Sequence, residues 1–318
     1  MASVHSVGRA TLDSRWEGNN VEATGETGNL TGWVPQSDLH FVSGRATDLL
    51  PGQRGVSGHA VFFQGNFGYT GAERSQSQSN LNRYDTLGHT LNNWGYYVEF
   101  GPDHRRLPDF LAARASGGRS AANRQRFRLL ELRQPSHLLD LFHLTQGQDR
   151  PDLSRFTEPA QLYEWFRDPV RLSRSDNTSQ RQVTVVAENI LTLIIAPYEP
   201  QISLLENYAQ SGSEPYQLAP DYHYDSRRFQ WDRGSKISEA TRHQLPPNLE
   251  IPLVALDESV WDNYPESEAI QIGENLLNFV NGRFQNALNY RNDLENLQDE
   301  PDRRKVGHKV FTHIVPLG

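Results

Sequence analysis

Val183-Thr184-Val185-Val186-Ala187-Glu188-Asn189-Ile190-Leu191-Thr192-Leu193-Ile194-Ile195-Ala196, closed by Pro197, is the longest apolar block in the chain. Its Val and Ile content and the closing proline favour an extended backbone after Asn189, because β-branched side chains fit a pleated surface and proline cannot continue a helix. Val183 to Glu188 reads equally well as strand or helix. Glu188 and Asn189 interrupt the block, and a buried polar group left unpaired costs on the order of 1–3 kcal/mol. The pair is therefore expected at a junction between a short turn and the strand that follows.

Outward from this block, the other strand signals are short apolar runs bounded by Gly, Pro or Asp: Leu39 to Val42, His59 to Phe63, Trp94 to Phe100, Arg126 to Leu132 and Pro252 to Leu256. Helical signals are fewer. Pro135-Ser136 precedes Leu138 to Leu144, Glu158-Pro159 opens Ala160 to Phe166, and Glu266 to Leu297 carries apolar residues at helical spacing with a bend expected at Gly282. Polar excursions are expected near 65–93 and 115–123, where Ser, Gln, Asn, Gly and Arg dominate. Strands do not alternate with long helices, no Gly-rich turn opens a helix after a strand, and no repeat of fixed period recurs. The expected class is α+β: antiparallel sheets of short strands, long polar loops and a C-terminal helical segment.

The 318 residues are enough for a sizeable core, although only 36% are hydrophobic and 24 Gly and 18 Pro point to much loop. A net charge of -8 argues against a nucleic-acid surface, since phosphate binding rests on clustered Lys and Arg. Arg124, Arg126 and Arg128 could form a local binding stripe, but their alternation with Phe127 and Leu129 is the pattern of a strand with one solvated face. The absence of cysteine excludes disulfides, thiolate metal sites and cysteine nucleophiles. No window approaches the roughly 18 apolar residues of a membrane span, and Met1 to Gly18 lacks the order of a signal peptide.

Two clusters look site-like. Asp221-Tyr222-His223-Tyr224-Asp225 sets an imidazole between two carboxylates, which suits a cation or shared protons; as a strand edge it would instead face its Asp and His residues to water. Asp257, Glu258 and Asp262 are candidate calcium ligands, against which stands helix capping, where acids near an N-terminus are favoured. Trp94, Tyr96, Tyr97, Tyr222, Tyr224 and Trp231 could form an aromatic platform, although alternating aromatics on strands commonly serve as core. The eleven histidines show no zinc-hydrolase spacing, His104, His137, His243 and His308 read as surface histidines, and no Gly-x-Ser-x-Gly elbow is present.

Val185 to Ile195 resembles the segment of minor pilins and type II secretion pseudopilins in which a turn containing Glu-Asn enters a sheet strand. Gln244-Leu245-Pro246-Pro247-Asn248 through Glu258 is similar to the strand that follows it there. More closely, the chain resembles the Verru_Chthon cassette protein C family, a pseudopilin-like group of Verrucomicrobia. The points of contact are Ser37 to Gly44, Gly58 to Gln64, Trp94 to Phe100, Arg126 to Pro135, the Glu188-Asn189 block, Tyr222 to Ser226 and the Leu245-Pro246-Pro247 strand.

The resemblance implies a pilin-like head at 37–318, forming a single domain, preceded by a 1–36 segment that is the remnant of the region after the pilin helix. It implies assembly with other pilin-like or pseudopilin subunits at the cell envelope, on the periplasmic or extracellular face. Attachment to the inner membrane would run only through an N-terminal transmembrane helix. That helix is absent from this sequence, and truncation is the simplest account. A structural calcium is conceivable by the same resemblance; otherwise no cofactor is expected. The expected function is a non-enzymatic structural subunit. Its alternatives are an aromatic-lined binding module for a glycan or exported polymer and, last, a hydrolase using Asp221, His223 and Asp225 or a calcium near Asp257.

Overall fold

The computed structural model describes residues 9–12, 30–34, 39–69, 88–102, 125–136, 139, 164–172, 182–198, 219, 221–227, 244–262 and 264–317. Near the N-terminus, β1 (Arg9–Leu12) and β2 (Leu30–Val34) pair antiparallel. The main sheet is a meander of β3 (Phe41–Arg45), β4 (Val56–Asn66), β5 (Leu91–Pro102), β6 (Gln125–Gln134) and β7 (Val183–Glu188). The two-residue β10 (Tyr224–Asp225) is added at the β3 edge. A second sheet has β12 (His308–Pro316) beside β11 (Asn248–Leu256), which pairs in turn with β8 (Ile190–Leu193) and β9 (Ala196–Tyr198). All these pairings are antiparallel, and the α+β class holds.

The period-2 pattern divides the main sheet's side chains between two cores. Val61, Val98, Phe100 and Phe127 pack with Leu191, Ile194, Val254 and Leu256 from the second sheet. On the opposite face Ala60, Phe62, Tyr97, Leu130 and Leu132 pack with α1 (Ala46–Leu49) and α2 (Arg167–Leu172), where the Phe62 and Phe166 rings stack 4.1 Å apart. After α3 (Ser259–Asp262), α4 (Glu266–Asn281) lies on the first core. Gly273 lets it approach, because a Cβ there would stand 2.3 Å from the Phe100 ring.

The crossing of the sheets is pinned by a bulge in β4. Gly58 has φ +63°, and a Cβ would lie 2.0 Å from Thr192 Oγ1. The Ser57 hydroxyl donates to Leu191 O at 2.7 Å. Asn281, the last residue of α4, accepts from Gly58 N–H at 3.1 Å and donates to Val56 O at 2.9 Å. Asn189 is the second pin, with φ +59°, a conformation asparagine tolerates. Its N–H donates to Phe127 O at 2.7 Å, its carbonyl accepts from Leu256 N–H at 2.8 Å, and its Oδ1 accepts from Trp261 Nε1–H at 2.8 Å.

The expected junction at Glu188-Asn189 is therefore present, but it joins two strands rather than a turn and a strand. Val183 to Glu188 is strand. The main-sheet strands also run longer than their apolar cores: β4, β5 and β6 have 11, 12 and 10 residues. A ladder of side-chain amides, Gln64 to Asn93 to Gln134, extends them into the polar stretch expected as loop. The excursion expected at 65–93 thus starts after Asn66 and ends before Leu91, while 115–123 lies outside the described residues.

Two helical expectations change. The Glu266 to Leu297 helix stops at Gly282 and resumes, after a 3-10 turn at Ala287–Asn289, as α5 (Tyr290–Arg303). A bent helix is replaced by two, because the Phe284 N–H and carbonyl are needed by Asp293 and His59. Of the helix expected over Ala160 to Phe166, residues 164–166 are a turn that leads into α2 at Arg167, and the rest lies outside the described residues, as does most of Leu138 to Leu144.

Arg126 and Arg128 are 8% and 3% exposed, not on a solvated face. Arg126 sits between the carboxylates of Glu188 and Glu258, at 3.1 and 3.3 Å. Arg128 donates to the carbonyls of Gly101 and Arg126, and burial lowers its pKa against the pull of Glu188 and Glu99. Long apolar stems allow such side chains to be covered while their heads remain paired.

Candidate functional site

Where β4 leaves the sheet, Phe67 folds back over the strand. Gly65 makes this fit, since a Cβ there would be 2.5 Å from the Phe67 ring. Gly68, at φ +69°, then lets Tyr69 return beside β5. The buried Asn92 side chain clamps Tyr69 by accepting from its N–H at 2.9 Å and donating to its carbonyl at 2.6 Å. Two loop aromatics are thereby held rigidly against the sheet.

Strand register supplies the rest. Trp94 faces Phe63 on one side and Arg133 on the other, and Tyr96 faces Glu131. Trp94 Nε1–H is shared between Tyr96 Oη and Glu131 Oε1, both at 3.0 Å, and the Tyr96 hydroxyl donates to Glu131 Oε1 at 2.8 Å. The other Glu131 oxygen lies 3.1 Å from Arg133 Nε. The Arg133 guanidinium lies over Tyr69 and Trp94, 5.3 and 5.6 Å from the ring centroids, within cation–π range. Phe67 meets Trp94 and Phe63 edge to face at 5.4 and 5.8 Å. Burial first, and Glu131 second, raise the Tyr96 pKa, so the hydroxyl stays a donor.

This aromatic ridge uses its polar atoms internally and offers ring surface outward: Phe67 is 45% exposed, while Tyr69, Trp94 and Tyr96 are half-buried. Such a surface suits stacking on apolar faces. Of the expected platform, only Trp94 and Tyr96 belong to it. Tyr97, Tyr222 and Tyr224 are fully buried core residues, and Trp231 lies outside the described residues. Phe67, Tyr69, Glu131 and Arg133 were not anticipated; their signal is an aromatic-Gly-aromatic turn after a strand and a Glu-x-Arg alternation opposite Tyr96 and Trp94.

The structure takes the Asp221 to Asp225 cluster apart. Tyr222 has φ +63°, so the segment is a turn rather than a strand, and only Tyr224 and Asp225 pair with β3. Asp221 accepts from His223 N–H at 3.1 Å. Asp225 turns inward, where its Oδ1 lies 3.0 Å from His40 Nε2. His40 Nδ1 accepts from Trp165 Nε1–H at 3.1 Å, so the proton shared with Asp225 resides on Nε2. These residues tie β3, β10 and the segment before α2 together.

Asp257 caps α3: its Oδ1 accepts from Ser259 N–H at 3.0 Å, and that bond holds its carboxyl below the usual range. Glu258 faces Arg126, and the Asp262 side chain lies outside the described residues. Among the described residues no group of three or more His, Asp or Glu is arranged to hold a metal ion. Of the four histidines expected at the surface, His308 is the one described, and its side chain is largely buried beside Asp302.

A deeper cluster surrounds His59, which no sequence pattern marked. Its Nδ1 accepts from Ile195 N–H at 3.0 Å and its Nε2 lies 3.3 Å from Phe284 O, satisfying a neutral ring with the proton on Nε2. The Tyr222 ring lies 4.7 Å away. Burial lowers the His59 pKa to about 4 and raises that of Tyr222; burial and the Glu250 carboxylate raise that of Tyr290. These buried groups bridge β4, the β8–β9 link and the chain just after α4.

No family model matches this chain. No curated protein and no solved structure matches it either.

Proposed function

We propose that this protein acts by contact rather than by reaction, as a non-enzymatic structural subunit resembling a minor pseudopilin within a pilus-like or type II secretion-like assembly of the cell envelope. The observation that supports this reading is the aromatic ridge of Phe67, Tyr69, Trp94 and Tyr96, whose polar atoms are satisfied by Glu131 and whose ring faces remain for a partner. Aromatic residues and arginine are the types enriched where proteins meet. The envelope assignment and the pseudopilin partners rest on the sequence resemblance alone.

A photo-cross-linking amino acid placed at Phe67 tests the reading in the native host. The expected product is a covalent adduct with an envelope protein that carries a pilin-type apolar N-terminal helix. Equal labelling from Phe67 and from the exposed Leu288 would overturn it. A second reading, a module for a glycan or exported polymer, is favoured by the half-exposed rings of the same ridge. Adducts with polysaccharide instead of protein would select it.

A further inference from the structure

We propose that β12 is a self-pairing edge through which two copies of this chain associate in an antiparallel twofold, joining their four-stranded sheets into one. The inference is independent of the ridge, which belongs to the other sheet. β12 pairs with β11 along all nine residues, from His308 opposite Leu256 to Pro316 opposite Asn248. Among the described residues no strand pairs with its other edge. Such an edge presents a row of backbone donors and acceptors, and soluble proteins usually blunt it with lysines, prolines, bulges or brevity. Here Lys309, whose ammonium lies 5.1 Å from the Phe311 ring centroid, and the terminal Pro316 are the blunting residues present; residues 310–315 between them hold no lysine or proline, the pairing has no register shift, and the apolar Phe311 and Ile314 are 47% and 50% exposed.

The occupant follows from the strand's own sequence. In a twofold antiparallel pair, opposing residues share a face, so the axis must fall on a residue rather than between two. An axis at Thr312 places Val310 opposite Ile314, Phe311 opposite His313 and Lys309 opposite Val315 of the second copy. An axis at Phe311 instead sets Lys309 against His313, and an axis at His313 sets the two imidazoles against each other. Of these three registers, the one at Thr312 sets apolar Val310 against apolar Ile314 and places none of His308, Lys309 and His313 opposite another of them, Lys309 being the one permanent charge on the strand. Single-edge pairing lies at the small end of specific interfaces, so a dissociation constant of about 10 µM is expected.

Analytical ultracentrifugation across a concentration series, together with thiol cross-linking, tests this. The chain contains no cysteine, so Thr312→Cys introduces a unique thiol, and a short bismaleimide is expected to give a covalent dimer from Thr312→Cys but not from Leu288→Cys. Lysines on the edge, in Phe311→Lys with Ile314→Lys, should weaken association roughly tenfold or more, through the same device natural edges use. Circular dichroism reports whether the variant folds. A wild-type chain that stays monomeric up to about 20 times the expected constant would overturn the proposal. So would a dimer that survives the paired lysines or fails to cross-link at residue 312.

Discussion

Acid should destabilise this protein through His59 at a pH where most of its carboxylates are still charged. The ordinary pKa of 6.5 falls to about 4 in the fold, chiefly by burial. Above pH 6.5 both folded and unfolded chains carry the ring neutral, and stability does not change on its account. Between 6.5 and about 4 the unfolded chain binds a proton that the native state refuses. Stability then drops by about 1.4 kcal/mol per pH unit, and it levels off once the native ring also titrates. Over the window from pH 6.5 to about 4.5, before most carboxylates protonate, the loss is roughly 3 kcal/mol, a large share of the 5–15 kcal/mol typical of a domain. Urea unfolding followed by tryptophan fluorescence, at steps through this window, measures it. His59→Gln keeps hydrogen-bonding capacity at this position but has no titration. It should be less stable at pH 7 by about 1–3 kcal/mol, yet lose the extra acid slope. Identical slopes for wild type and variant would refute the reasoning.

Gly58→Ala forces a Cβ into Thr192 at a positive φ, and should lower stability by about 2–4 kcal/mol or prevent folding; a melting temperature within about 2 °C of wild type would be contrary. Asp225→Ala strips the partner from the buried His40 Nε2–H and should lose about 1–3 kcal/mol by chemical denaturation, whereas Asp221→Ala, at an exposed turn, should lose less than about 0.5 kcal/mol. Equal losses would mean that the cluster acts as a unit after all. Glu131→Ala removes the acceptor of the Tyr96 hydroxyl and leaves Trp94 Nε1–H with Tyr96 Oη alone, and should cost about 1–3 kcal/mol with a changed tryptophan emission; an unchanged spectrum and midpoint would argue that the ridge is not organised by Glu131.

The sequence disclosed the strands because their apolar cores are short and strongly bounded, and it disclosed the Glu188-Asn189 junction because buried polar groups need a structural reason. It understated strand length, since Gln64, Asn93 and Gln134 look like loop residues until neighbouring strands supply their amide partners. β12 was missed for a related reason: Lys309, Thr312 and His313 interrupt its apolar pattern because an edge strand is wet on more than one side. At the site, Trp94 and Tyr96 were visible as alternating aromatics. Glu131 and Arg133 become part of the same surface only through cross-strand register. Tyr222 and Tyr224 were misjudged because a positive φ at Tyr222 turns the chain and sends Asp225 inward to His40, which spacing alone does not reveal.

Function by contact meets its most direct test in partner recovery from detergent extracts of the native host, using tagged wild type, Phe67→Ser with Trp94→Ala, and Leu288→Ser as a surface control. A pilin-like envelope protein should be recovered with wild type and with the Leu288 variant and be lost with the ridge variant, whose folding is checked by circular dichroism. Equal recovery from all three folded proteins would contradict the account.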